Sequence, residues 1–164
     1  MNQETFSNKI LIHKDPLYRL AKSILQDEDA VKDCLQDFYL KLWEKKSDWE
    51  EINNIRAFAM KSIRNQCLDI LRKKKDMAVL YEELESYETN IYDAIEQKDM
   101  SKTIKMLINK LPELQRSIIR LRDVEGLEIK EIAYITSSNE NAVTANLSRA
   151  RQKIREQLKP LIID

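Results

Sequence analysis

An all-α fold is expected for this 164-residue chain from three observations. It holds one glycine and three prolines, too few for the hairpins, bulges and phosphate loops of β and βαβ architectures. Apolar residues recur at three- and four-residue steps. Short polar breaks with capping Asp or Asn separate those stretches. With 43% hydrophobic and 34% charged residues, the chain suits one globular domain or two small ones. No stretch approaches the ~20 apolar residues needed to span a bilayer. The opening MNQETFSNKI lacks a secretory apolar core, so a cytoplasmic location is expected.

The first helix is signalled by DPLYRLAKSIL, where Asp15 can cap and Pro16 at the first helical position gives up an amide that had no partner. In the second, DEDAVKDCLQDFYLKLWEKK, the residues Val31, Cys34, Leu35, Phe38 and Leu42 form an apolar stripe. Asp29, Asp33, Gln36 and Asp37 are left on the wet side. SDWEEINN breaks the pattern, and Asn53 or Asn54 can cap a third helix, IRAFAMKSIRNQCLDILRKKK. There Ile55, Phe58, Ile63, Cys67, Ile70 and Leu71 point inward, while Lys61, Arg64, Asn65 and Arg72 fall on other faces. These helices make an N-terminal bundle over 1–75. From 76 to 98 the periodicity weakens and acids dominate, which reads as a linker with room for a short helical turn around Leu80 to Leu84. Fully extended, such a strap reaches about 75 Å. A second module, 99–164, opens with MSKTIKMLINK. In LPELQRSIIRLRDVEG a proline marks a helix start and Gly126 its end.

Charge is segregated although 28 bases balance 28 acids. Residues 27–51 hold nine acids against four bases, and 82–99 seven against one. Residues 61–75 hold six bases against one acid, and 149–159 five against one. Alternating islands of this kind point to partners of both signs, with a polyanion for the basic ones.

LEIKEIAYI, a polar break TSSN and NAVTANLSRARQKIREQLKP have the ingredients of a helix-turn-helix. Ile129, Ile132, Ala133 and Ile135 would face inward on its first helix, with Val143 and Leu147 anchoring the second and Asn139 capping it. Asn141, Thr144, Ala145 and Ser148 are short enough to approach base edges in a major groove. Arg149, Arg151, Lys153 and Arg155 would then meet phosphates.

With those residues in place, the chain resembles the bacterial sigma-factor family, in its short two-domain extracytoplasmic-function branch, from about Leu17 to Leu158. EDAVKDCLQDFYLKLWEK and NIRAFAMKSIRNQCLDILRKKK carry the N-terminal match. LPELQRSIIRLRDVEGLEIKEIAYI and AVTANLSRARQKIREQL carry the C-terminal one. The resemblance implies a promoter-specificity subunit of RNA polymerase. It assigns the Asp29 to Trp43 helix to docking on core polymerase, with Asp33, Gln36, Asp37 and Leu40 as contacts on a face whose acidity suits a basic partner. It assigns the third helix to the minus-ten promoter element, where Asn65, Asp69 and Arg72 match the family's residues and Lys61 and Arg64 add positive charge. The plainer reading pairs Asn65 with Asp69 locally and leaves Arg72 solvated. Trp49 and Asn53 sit in the preceding loop, where the family captures an unpaired base; Trp49 could equally cap the bundle core. The C-terminal module would occupy the minus-thirty-five element. The acidic linker would bridge roughly 50 Å between the two sites and imitate nucleic acid in a basic channel; the alternative is a plain disordered tether. Partners implied are core polymerase, double-stranded promoter DNA with its melted strand, and a membrane-associated anti-sigma factor, with the free chain a monomer.

The chain departs from the family pattern at Glu128, where Ser or Thr is usual, at Ser137, where Gly is usual, and at Ser138, where an apolar residue is usual. Serine in place of a turn glycine implies a different turn or some strain. Thr144 and Asn146 replace frequent Lys or Arg, so the early recognition helix grips phosphate less. A free-standing dimeric regulator and a helical adaptor are the rival readings. The dimer needs a second copy for its half-sites, and the basic islands disfavour the adaptor. An enzyme is least expected: His13 is the sole histidine, read as surface or helix-flanking, and no metal set, cofactor loop or nucleophile motif accompanies it. Cys34 and Cys67, far apart in sequence within apolar patterns, read as two inert buried thiols.

Overall fold

A computed structural model describes residues 3–45, 52–81 and 99–162, apart from the side chains of 79–81. The described residues form helices joined by short turns. The N-terminal helices are α1 (Gln3–Lys9), a 3-10 turn (Leu11–His13), α2 (Lys14–Leu25), α3 (Glu28–Glu44) and α4 (Ile55–Tyr81). The C-terminal ones are α5 (Met100–Asn109), α6 (Glu113–Ile119) with a π turn (Arg120–Val124), α7 (Ile129–Ile135) and α8 (Glu140–Ile162).

The apolar stripe expected on α3 is buried in full: Val31, Cys34, Leu35, Phe38 and Leu42 all lie in the core. They meet Leu17, Leu20, Ala21 and Ile24 of α2 and Met60, Ile63 and Cys67 of α4. Burying a Leu or Ile side chain contributes about 2 kcal/mol, so a stripe of this kind sets which face turns inward. Asp27 caps α3 by accepting from the Asp29 amide at 3.2 Å. Asn54 caps α4, its side-chain oxygen accepting from the Ala57 amide at 3.1 Å.

Four local expectations change. No helix was expected over Gln3–Lys9, where α1 buries Phe6. Helix α2 begins at Lys14, so Asp15 and Pro16 lie within its first turn and Asp15 is not the cap. His13 stands at that cap position without a side-chain hydrogen bond. Helix α4 runs on to Tyr81, six residues past the expected end of the bundle at 75. The turn looked for around Leu80 to Leu84 is thus partly the end of α4, and the rest of the acidic stretch lies outside the described residues. The two cysteines are buried as expected, but they touch: their sulfurs are 3.6 Å apart. Distance along the chain said nothing about distance across the α3–α4 seam.

In the C-terminal module Pro112 precedes α6 at its cap position, and Gly126 ends the π turn at φ +72°. That left-handed conformation costs glycine little, and it lets the Leu127 amide reach back to the Leu121 carbonyl at 2.9 Å. Ile132, Ala133 and Ile135 of α7 pack on Val143, Leu147, Ala150 and Ile154 of α8, so the expected helix-turn-helix core is present. Helix α7 also lies against α4, and α6 against α2, joining the modules.

Candidate nucleic-acid interface

Helix α8 begins where the Asn139 side chain accepts from the Ala142 amide at 2.8 Å. Asn141, Thr144, Ser148 and Arg149 are exposed along one face, with Ala145 half-buried beside them. Their backs are Val143, Leu147 and Ala150, all buried, so the helix cannot turn that face inward. The preceding turn holds Ser137 at φ +53°. The chain therefore keeps a left-handed turn and builds it with a serine, which strains the backbone. Neighbouring bonds hold it: the Thr136 hydroxyl donates to the Ile132 carbonyl at 2.7 Å, and the Ser138 amide to the Ala133 carbonyl at 3.0 Å. Arg151, expected to meet phosphate, makes a two-pronged pair with Asp123 at 2.6 and 3.1 Å. That pair ties α8 to the π turn, and the hydrogen bond that Arg151 donates to Asp123 raises the arginine's pKa. Lys153 and Arg155 remain exposed.

On the N-terminal module the residues expected at a promoter separate into two groups. Asn53, Asn65, Asp69 and Arg72 are exposed. The local pair on this face is Arg72 with Asp69 at 3.2 Å, not Asn65 with Asp69, and Lys73 joins it at 3.5 Å. Lys61 and Arg64 instead face the other module. Lys61 sits over the Tyr134 ring, 4.4 Å from its centroid. Arg64, its side chain only 7% exposed, donates to Glu113 at 2.9 Å. Trp49 lies outside the described residues. Asp33, Gln36, Asp37 and Leu40 are all exposed on α3, Leu40 with 54% of its surface.

The junction between modules repeats one chemical theme. Arg19 on α2 makes a two-pronged pair with Glu125 at 2.6 and 2.9 Å. Arg56 and Asn54 at the start of α4 both donate to Glu131 at 3.1 Å. Arg64 holds Glu113, which also accepts from Ser117 at 2.7 Å. Among the described residues, every ion pair across the junction has its cation on the N-terminal side and its acid on the C-terminal side. Burial pushes the Glu131 carboxyl up, but hydrogen bonds from Asn54, Arg56 and the Glu128 amide, with the Arg56 charge, hold it below the usual carboxylate range. The sequence reading missed Arg19, Asn54 and Arg56 as junction residues, because their partners stand 75 to 106 residues away.

Residues 10–76 match the family description "Sigma-70 region 2", and residues 101–154 match "Sigma-70, region 4". The chain is 31% identical over 147 residues to "RNA polymerase sigma factor SigV" of Bacillus subtilis, spanning 89% of this chain and 86% of that protein. It is 25% identical over 172 residues to "ECF RNA polymerase sigma factor SigW" of the same organism, spanning 98% and 92%. Its fold is similar to that of the sigma factor RpoE solved with the anti-sigma factor NepR from Bartonella quintana, with TM-score 0.78, 24% identity and coverage of 95% and 98%. CnrH, solved with the cytosolic domain of CnrY, is similar at TM-score 0.70, 21% identity and coverage of 97% and 90%.

Proposed function

Since this chain belongs to the sigma-70 family, in its extracytoplasmic-function branch, we propose how its two modules divide the work of a promoter-specificity subunit. The protein binds core RNA polymerase, directs it to promoters and helps melt promoter DNA. Its work is binding, without covalent chemistry of its own, carried out in the cytoplasm where polymerase and promoter meet. No described helix is long and apolar enough to cross a membrane.

In this reading α3 docks on polymerase through Asp33, Gln36, Asp37 and Leu40, acids for a basic surface and a leucine for an apolar one. Helix α8 reads the minus-thirty-five element with Asn141, Thr144, Ala145 and Ser148 at base edges and Arg149 on phosphate. Arg151 joins them only by releasing Asp123. Helix α4 meets the minus-ten element through Asn65, Asp69 and Arg72, with Trp49 and Asn53 taking an unpaired base. Residues 1–75 and 99–164 act as the two binding modules and 76–98, whose first six residues continue α4, as the connection between them.

One observation carries the division of labour: the α8 face stands open while Lys61 and Arg64 are held by the opposite module. Glu113 occupies Arg64 much as a phosphate would and the Tyr134 ring covers Lys61, so these two cations reach DNA only when the modules part. Core polymerase, engaging both modules at separate places, would supply the energy for parting. The similar sigma factor solved with the anti-sigma factor NepR supports a partner of that kind here, which we take to be a membrane-associated protein that holds the chain off polymerase.

Transcription in vitro tests the reading. Purified chain added to core polymerase and a promoter library should start RNA at discrete sites. Random initiation, or none, overturns it. A pull-down from cells should retrieve polymerase and an anti-sigma factor; polymerase alone removes the second partner.

A further inference from the structure

Cys34 and Cys67 come from different helices, 33 positions apart, and meet in the core with sulfurs 3.6 Å apart. They are 2% and 0% exposed. The seam is fixed beside them, because Gln66 donates through Nε2 to the Cys34 carbonyl at 3.2 Å. A disulfide needs sulfurs about 2.05 Å apart, so closing the gap takes a change of a little over 1.5 Å, within reach of side-chain rotation. We propose that Cys34 and Cys67 form a redox-active dithiol, a modification site at which a small uncharged peroxide makes an intramolecular disulfide joining α3 to α4.

The pair is asymmetric in a way that suits the chemistry. A hydrogen bond from Cys67 favours the Cys34 thiolate against the cost of burial, with Asp37 opposing and Lys41 assisting. Donating that bond, together with burial, pushes the Cys67 thiol far up. The Cys34 thiolate attacks hydrogen peroxide, the O–O bond breaks, and the departing hydroxide takes a proton to become water. Cys34 is then a sulfenic acid. The Cys67 sulfur attacks it, the S–S bond forms, the S–O bond breaks, and the hydroxide released carries away the Cys67 proton as a second water. Two thiols lose two electrons to one peroxide. Burial admits a molecule of this size during brief openings of the seam and excludes a tripeptide such as glutathione disulfide.

The position gives the bond a structural consequence. Cys34 adjoins Asp33 and lies one turn from Asp37, while Cys67 falls between Asn65 and Asp69. A covalent link would therefore tie the two helices at the level of those residues and close a loop that includes the stretch between α3 and α4.

The full reduced chain, treated with hydrogen peroxide under native conditions and then alkylated after unfolding, should lose about 2 Da and take up no alkyl group. Digestion should yield the Cys34 peptide joined to the Cys67 peptide. The thermal midpoint should rise by several degrees and return on adding dithiothreitol. Cys67→Ala should give neither link nor shift, and glutathione disulfide should leave the wild type reduced. Complete alkylation of both cysteines after peroxide overturns the proposal. So does sulfinic acid on one cysteine, or a disulfide between two chains. The wild-type mass decides the matter even if the alanine variant folds poorly, and it does so whether or not the promoter assignments hold.

Discussion

The faces of α8 and α4 are both rich in cations, yet they stand in opposite states. On α8 the short residues and Arg149 look into solvent, with one cation, Arg151, tied to a neighbour within its own module. On α4 Arg56, Lys61 and Arg64 are engaged across a junction with the other module. The contrast teaches that a basic island in a sequence marks a need for negative charge without saying who meets it. Here Glu131 and Glu113 of the same chain meet it for Arg56 and Arg64 and the Tyr134 ring for Lys61, whereas among the described residues no carboxylate pairs with Arg149.

The contrast is broken most sharply at Glu113. Glu113→Ala leaves Arg64 buried without its carboxylate, and removing one partner of a buried pair costs several kcal/mol. Because Glu113 keeps about a quarter of its surface exposed, the loss expected is about 2 kcal/mol in denaturant unfolding. Small-angle scattering should show a larger radius of gyration as well. A change of a few tenths would place Arg64 among ordinary surface ions. Next comes the exposed acidic face of α3. Asp37→Arg reverses charge where nothing is packed, so the fold should hold while affinity for core polymerase falls by about tenfold. Unimpaired holoenzyme assembly would remove α3 as the docking helix.

On the open side, Arg149→Ala should weaken promoter binding by a few-fold and lower the salt slope by about one. Equal affinity at several salt concentrations would show that Arg149 meets no phosphate. Ser137→Gly relieves the left-handed serine ahead of α8 and should add about 0.7 kcal/mol of stability. A loss on that substitution would mean the Ser137 side chain contributes more than the strain costs. The smallest effect is expected from acid. The Glu131 carboxyl is held below its usual range in the folded chain, so its contribution is complete above the unfolded glutamate pKa and fades as pH falls through the folded one. Below about pH 4 the junction should loosen slightly, and Glu131→Gln should flatten that part of the stability profile.

Much of this could be read in the residues. The α3 stripe, the Asn139 and Asn54 caps and the Gly126 stop each involve neighbours within a few positions. Their signals survive in a short window because the helix repeat and the backbone's own needs create them. Where several local rules competed, reading was weaker. Asp15 could cap, but the 3-10 turn before it carries the helix start back to Lys14. The stretch past residue 75 looked like the start of a strap, yet α4 continues to Tyr81, since Met77 and Ala78 are sound helix formers that carry the helix on without a turn signal.

Sequence alone settled the helical class, the helix-turn-helix and the exposed acidic face of α3, because periodicity and capping are local and the family's motifs lie in continuous segments. Tertiary structure alone decided that Arg64 serves Glu113, that Arg56 serves Glu131, and that Cys34 touches Cys67. Those partners are 49, 75 and 33 residues apart. Charge and thiol chemistry act through space over a few ångströms, so the packing of helices, which no short window of sequence encodes, chooses among the many partners the composition allows.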